Sequence, residues 1–117
     1  MAARPDVFAV ISREEAFTIA EKFKKHLEGM GIPIERIYIY GSYAKGIPRY
    51  GSDIDLCVIS SAFKDRMDAG LMLRREAIKI DSRIEPVGYH PEQFEDWIPL
   101  VWEIRAHGIA IGEAATA

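Results

Sequence analysis

The stretch from Tyr40 to Ile59 constrains this chain most. An apolar run stops at a glycine, a polar loop follows, and a second apolar run opens with two aspartates one residue apart. Ile37-Tyr38-Ile39-Tyr40 consists of β-branched and aromatic residues that suit a pleated surface, so a strand is expected to end at Gly41-Ser42. Where such a strand gives way to a short helical turn, backbone N–H groups face outward and favour an anion. Gly41 would let that anion approach closely, and Ser42 adds a hydroxyl. Asp53 and Asp55 fall at i and i+2 of the run Asp53 to Ile59. On a strand they share one face, while Ile54, Leu56 and Val58 share the other. Two carboxylates on a rigid strand repel unless a divalent cation lies between them. Mg²⁺ suits the position, because it takes oxygen ligands and commonly binds through one or two carboxylates plus substrate phosphates. Each half also has an ordinary reading: Gly-Ser is a common turn dipeptide, and alternating aspartates can be a solvated sheet face.

The flanking sequence supplies the layers such a hairpin needs. Ser12 followed by Glu15 makes a capping box, and Ala16, Ala20, Phe23, Leu27 and Met30 recur at helical spacing until Gly29, Gly31 and Pro33 stop the helix. That helix is expected to cover a sheet, with His26 solvated on its polar side. A second helix is expected over about 67 to 80, with Leu73, Ala77 and Ile80 in line and Arg74, Arg75, Glu76 and Lys79 as its charged surroundings. Ile84 to Tyr89 reads as a strand interrupted by Pro86, hence an edge strand or a bulged one. Phe94, Trp97, Ile98, Val101 and Ile104 form a helical stripe assigned to the core. Their helix begins near Trp97, because Pro99 is tolerated only in a first turn. Trp102 lies off that stripe and could face a partner. Gly108 ends the helix, Ile109-Ala110-Ile111 adds a last short strand, and the tail after Glu113 is expected to fray. His90 and His107 stand at element ends, and no histidine pair has ligand spacing, so no zinc site is expected.

Gly41-Ser42, ten residues, then Asp53-x-Asp55 resembles the signature of the DNA polymerase beta-like nucleotidyltransferase superfamily. Four such positions match by chance on the order of once in a thousand chains of this length. Strand-like runs in both required places strengthen the match. Within that superfamily the chain is most similar to the minimal nucleotidyltransferases, or MNT proteins, over roughly residues 34 to 113. The resemblance implies an α/β (α+β) fold with a small mixed sheet and helices packed on it. It implies a third carboxylate from the strand beside the Asp-x-Asp strand, where Glu85 matches and the nearby Asp81 competes. It implies a Mg²⁺-dependent transfer in which Asp53, Asp55 and Glu85 hold two ions, Gly41 and Ser42 hold the β- and γ-phosphates of ATP, and Glu85 takes the acceptor's proton. Lys45 and Arg49 are either phosphate cations or loop charges. Ser52, also a candidate, caps the turn before the strand more readily than it touches substrate.

With 117 residues there is room for one domain, expected to span residues 1–117 with a core of about 12–113. A net charge of −3 offers no broad attraction for nucleic acid, so no direct nucleic-acid binding is expected, and a polyanionic substrate would have to be held locally. The single Cys57 fits a reducing, cytoplasmic compartment. The opening Met1 to Pro5 lacks a signal-peptide core, and no apolar run approaches membrane-spanning length. MNT proteins pair with HEPN-domain ribonucleases, acting as antitoxins that transfer AMP to a tyrosine of the toxin, and the resemblance implies that role here. Two alternatives remain: an antitoxin that works by occlusion with a vestigial site, or a small-molecule nucleotidyltransferase whose acceptor pocket forms in a homo-oligomer.

Overall fold

The computed structural model describes residues 10–49 and 51–112; the expectations for Met1 to Pro5 and for the tail after Glu113 lie outside them. Ser12 caps the first helix, α1 (Arg13–Gly29). Its hydroxyl accepts the Glu15 N–H, and the Glu15 carboxylate accepts the Ser12 N–H, which completes the expected capping box. The chain then runs through β1 (Arg36–Tyr40), a single helical turn α2 (Ser42–Lys45), β2 (Ile54–Ile59), α3 (Arg66–Ile80), β3 (Ile84–Tyr89), a 3₁₀ turn at Pro91–Gln93, α4 (Pro99–His107) and β4 (Ile109–Ala110).

The strands form one mixed sheet in the order β3-β2-β1-β4. β1 and β2 are the antiparallel arms of a hairpin, with Tyr40 opposite Asp55. β2 and β3 run parallel, with Asp55 opposite Glu85. β3 is therefore an edge strand, the place where the missing N–H of Pro86 costs least. Alternation assigns the two faces. Ile37, Ile39, Ile54, Leu56, Val58 and Ile84 are buried beneath α1 and α3. Tyr40, Cys57, Ile59 and Tyr89 form a second cluster with Phe94, Val101 and Ile104 of the α4 region on the other face. Asp55 and Glu85 lie on this second face, one pair from the start of the β2–β3 ladder.

Four expectations need correction. Trp97 is not core: α4 begins two residues later at Pro99, and Trp97 is 77% exposed, its indole N–H donating to Glu95. Asp53 precedes β2 instead of belonging to it. Glu76 is not a solvent-facing charge but only 4% exposed, and His26 is not a free surface residue, because its Nε2 donates to Glu76 Oε1 at 2.8 Å. Lys79 and Arg75 also donate to Glu76. A lone carboxylate between two helices would be costly, and these donors offset that cost.

The bonds to Glu76, from His26 first, bring its pKa down from the ordinary 4.5 to about 2. A depressed carboxylate stabilises the fold above its ordinary pKa, and that stability is lost as pH falls towards the folded value. We expect the melting temperature of Glu76→Gln to lie below wild type at pH 7, with the gap closing between pH 4.5 and 2. Circular dichroism melts across that range check this; a gap unchanged at pH 2 would show that the charge does not join the helices.

Candidate active site

The turn between β1 and α2 is built for close approach. Gly41 has φ 73° and ψ −150°, a conformation essentially closed to residues with a side chain. A Cβ added there would stand 2.3 Å from Asp55 Oδ2. The Asp55 carboxylate thus occupies the space a side chain at 41 would fill, and the turn and the acidic strand form one site. α2 is held in place from behind. Tyr43 is buried, its hydroxyl accepting the Ile11 N–H at 3.3 Å, and Arg13 of α1 donates to the Ala44 carbonyl at 2.9 Å. Ser42 begins the turn, directly after the glycine against which the Asp55 carboxylate rests.

The acids respond to one another. Asp55 is partly buried, and its pKa rises from 3.8 to about 6 through desolvation first, then through the charges of Asp53 and Glu85. Tyr40, opposite Asp55 in the hairpin, has its hydroxyl pKa raised well above the ordinary 10 by burial and then by Asp55. Pattern reading missed Tyr40; its signal was the antiparallel pairing that sets it across from Asp55. Glu85 lies in register with Asp55 on the neighbouring strand, a backbone separation of about 4.8 Å. Its carboxylate is exposed and reaches Arg74 of α3 at 3.9 Å. Asp81, the competing third acid, is engaged by Arg83, whose Nε and Nη2 donate at 2.9 and 2.8 Å.

The remaining candidates are spread around this centre. Lys45, at the far end of α2, pairs with Glu103 of α4 at 2.8 Å, a partner too distant along the chain for spacing to reveal. Ser52 caps its turn, its hydroxyl accepting the Arg49 N–H at 2.7 Å, and the Arg49 side chain is exposed. Among the described residues, no three His, Cys, Asp or Glu side chains gather closely enough to ligate one ion as they stand. Their chemistry nonetheless fits a hard divalent cation. Asp53, Asp55 and Glu85 are oxygen donors only, on adjoining backbone, and partial burial first and the other two charges second raise Asp55.

Residues 18–95 match the family model described as a nucleotidyltransferase domain. The chain belongs to that nucleotidyltransferase family. A search of curated proteins finds no match. Among solved structures, a toxin–antitoxin MntA–HpeT mutant is 23% identical, with a TM-score of 0.56 over 79% of this chain and 70% of that one. A toxin–antitoxin structure with AMP-PNP is 26% identical, with a TM-score of 0.57 over 77% and 69%. A protein described only as a candidate nucleotidyltransferase, from Sulfolobus solfataricus, is 17% identical, with a TM-score of 0.57 over 87% of each chain. The mixed sheet with helices packed on it is thus the nucleotidyltransferase fold expected from the Gly41-Ser42 and Asp53-x-Asp55 pattern. No helix among the described residues of this nucleotidyltransferase is long and apolar enough to cross a membrane.

Two substitutions probe the site. Gly41→Ala should lose about 1–3 kcal/mol from the left-handed conformation alone, and the displaced Asp55 should take activity with it. Asp55→Asn should do the reverse to stability. A carboxylate with a raised folded pKa destabilises above that value and ceases to do so below its ordinary one, so the metal-free variant should gain about 1–2 kcal/mol at pH 7.5 and little at pH 4. Denaturant titrations at both pH values check it; equal gains at both would refute the raised pKa of Asp55.

Proposed function

We propose that this nucleotidyltransferase transfers AMP from ATP to a hydroxyl of a protein partner, as the antitoxin of a toxin–antitoxin pair whose toxin is a HEPN-domain protein. The observation that carries this is the Asp55 carboxylate resting against Gly41, with the charges of Asp53 and Glu85 acting on Asp55; it supports a turn that holds phosphate beside acids that hold a metal. The likeness to toxin–antitoxin structures, one of them with AMP-PNP, supports the role and the nucleotide.

In this reading Gly41 and Ser42 hold the β- and γ-phosphates, so the α-phosphorus lies over Asp53 and Asp55. Mg²⁺ held by Asp53, Asp55 and Glu85 would supply charge neutralisation for the phosphate oxygens. The acceptor oxygen bonds to the α-phosphorus, the bond to the β-phosphate bridging oxygen breaks, and pyrophosphate leaves on the side of Gly41-Ser42. Glu85 takes the hydroxyl proton. Positioning and charge carry most of the work, as is usual in phosphoryl-type transfers.

A second reading, occlusion of the partner without catalysis, is favoured by the absence of a preassembled three-carboxylate centre among the described residues. Incubation of the chain with ATP, Mg²⁺ and its toxin partner, followed by mass spectrometry, separates the two. We expect an AMP-sized addition to the partner, lost with a chelator and reduced by about 10³-fold or more in Asp53→Asn. Unmodified partner, with no Mg²⁺-dependent ATP binding in calorimetry, would leave occlusion standing.

A further inference from the structure

In-line displacement gives the acceptor a direction. The incoming oxygen and the departing pyrophosphate must lie on opposite sides of the α-phosphorus. The phosphates are assigned to Gly41-Ser42 at the end of β1, and the strand order is β3-β2-β1. Asp53, just before β2, and Asp55, on it, lie between, so the acceptor enters from the side of β3, the sheet's edge. The surface beside that edge is the outer face of α3.

That face differs from an ordinary solvated helix. Ala69, Leu73 and Ala77 turn α3 towards the core. On the opposite side Met67, Leu71 and Ile78 stand 75%, 60% and 71% exposed. With Arg74 between them they fall at i, i+4, i+7 and i+11, one line along the helix. Beside the line runs a groove of about 310 Å³, formed by Met67, Gly70, Leu71 and Arg74 of α3 against Pro86 and Val87 of β3. Among the described residues nothing lies within 4 Å of where a Cβ on Gly70 would be, so the groove is open there. Two guanidinium groups edge it. Arg66 donates to the Gly88 carbonyl at 3.1 Å and lies over the Tyr89 ring, and Arg74 reaches Glu85. Among the described residues no carboxylate lines the groove, in a chain whose net charge is −3.

We propose that the outer face of α3 and the groove beside β3 dock the acceptor protein, through a segment with apolar side chains for Met67, Leu71 and Ile78 and carboxylates for Arg66 and Arg74. This rests on the transferase reading above and adds to it the surface that selects the acceptor. Pro86 interrupts the strand edge, so recognition is by side chains on the helix and not by an added strand. Docking also bears on the site, because a partner carboxylate that takes Arg74 releases Glu85 for the acceptor's proton.

The test uses the full chain, ATP with Mg²⁺, and the purified toxin partner, with Leu71→Glu and Ile78→Glu as variants and Trp102→Ala as an exposed control on α4. We expect each glutamate to raise the KM for the toxin by about 10- to 100-fold, with kcat, ATP affinity and melting temperature unchanged and the control like wild type. Unchanged KM values overturn the docking surface while leaving the transferase intact, as would a defect in Trp102→Ala alone. A fall in ATP affinity or melting temperature would mark the stripe as structural and also overturns it. So would a wild-type dimer that Leu71→Glu makes monomeric without altering KM, since the stripe would then join two copies of this chain. A wild-type chain that transfers nothing overturns the functional reading and this one with it.

Discussion

A carboxylate stands where a side chain at position 41 would otherwise be, and this contact ties the two halves of the hairpin into one site. Antiparallel pairing sets Tyr40 opposite Asp55, and the next residue must then turn away from the sheet without a Cβ. Only glycine does both at φ 73° and ψ −150°. The fold holds Asp55 there against two kinds of cost, partial burial and the nearby charges of Asp53 and Glu85. Such strain is usual where a site is arranged for a ligand that is not part of the chain. Repulsion also explains why the three acids do not converge unaided: like charges on adjoining strands separate, and Glu85 leans towards Arg74.

The sheet order gives this arrangement its polarity. β1 brings the phosphate turn, β2 the aspartates, and β3 the third acid, so the site is read across the strands from interior to edge. α1, through Arg13, and the buried Tyr43 fix the turn from one layer, while Glu103 on α4 meets Lys45 from the other. The site is thus supported from both faces of the sheet.

Much of this was legible in local pattern. The capping box at Ser12 and Glu15, the β-prone runs on either side of the Gly41 loop, the Pro86 edge strand and the last short strand at Ile109 all depend on residues close in sequence, where spacing is informative. What escaped depends on distant partners or on one proline. His26 and Glu76 are 50 residues apart, and only the crossing of α1 with α3 makes a polar pair out of two residues that each look like surface. Trp97 satisfied the helical period but precedes the Pro99 start. Asp53 continued the alternation of the strand, yet the turn held by Ser52 ends just before it. In the site, the Gly-Ser and Asp-x-Asp residues were visible, whereas the hold of Glu103 on Lys45 left no trace in spacing.

Cys57 illustrates how the middle of β2 is sealed. It sits two residues beyond Asp55 on the same face, buried under the α4 layer, with its thiol pushed up to about 12 by desolvation. At neutral pH almost none of it is thiolate, so alkylating reagents and peroxide have nothing to attack while the sheet is closed. The chain's one sulfhydryl is therefore a built-in clock for sheet opening: its labelling rate measures how often β2 parts from the layer above it.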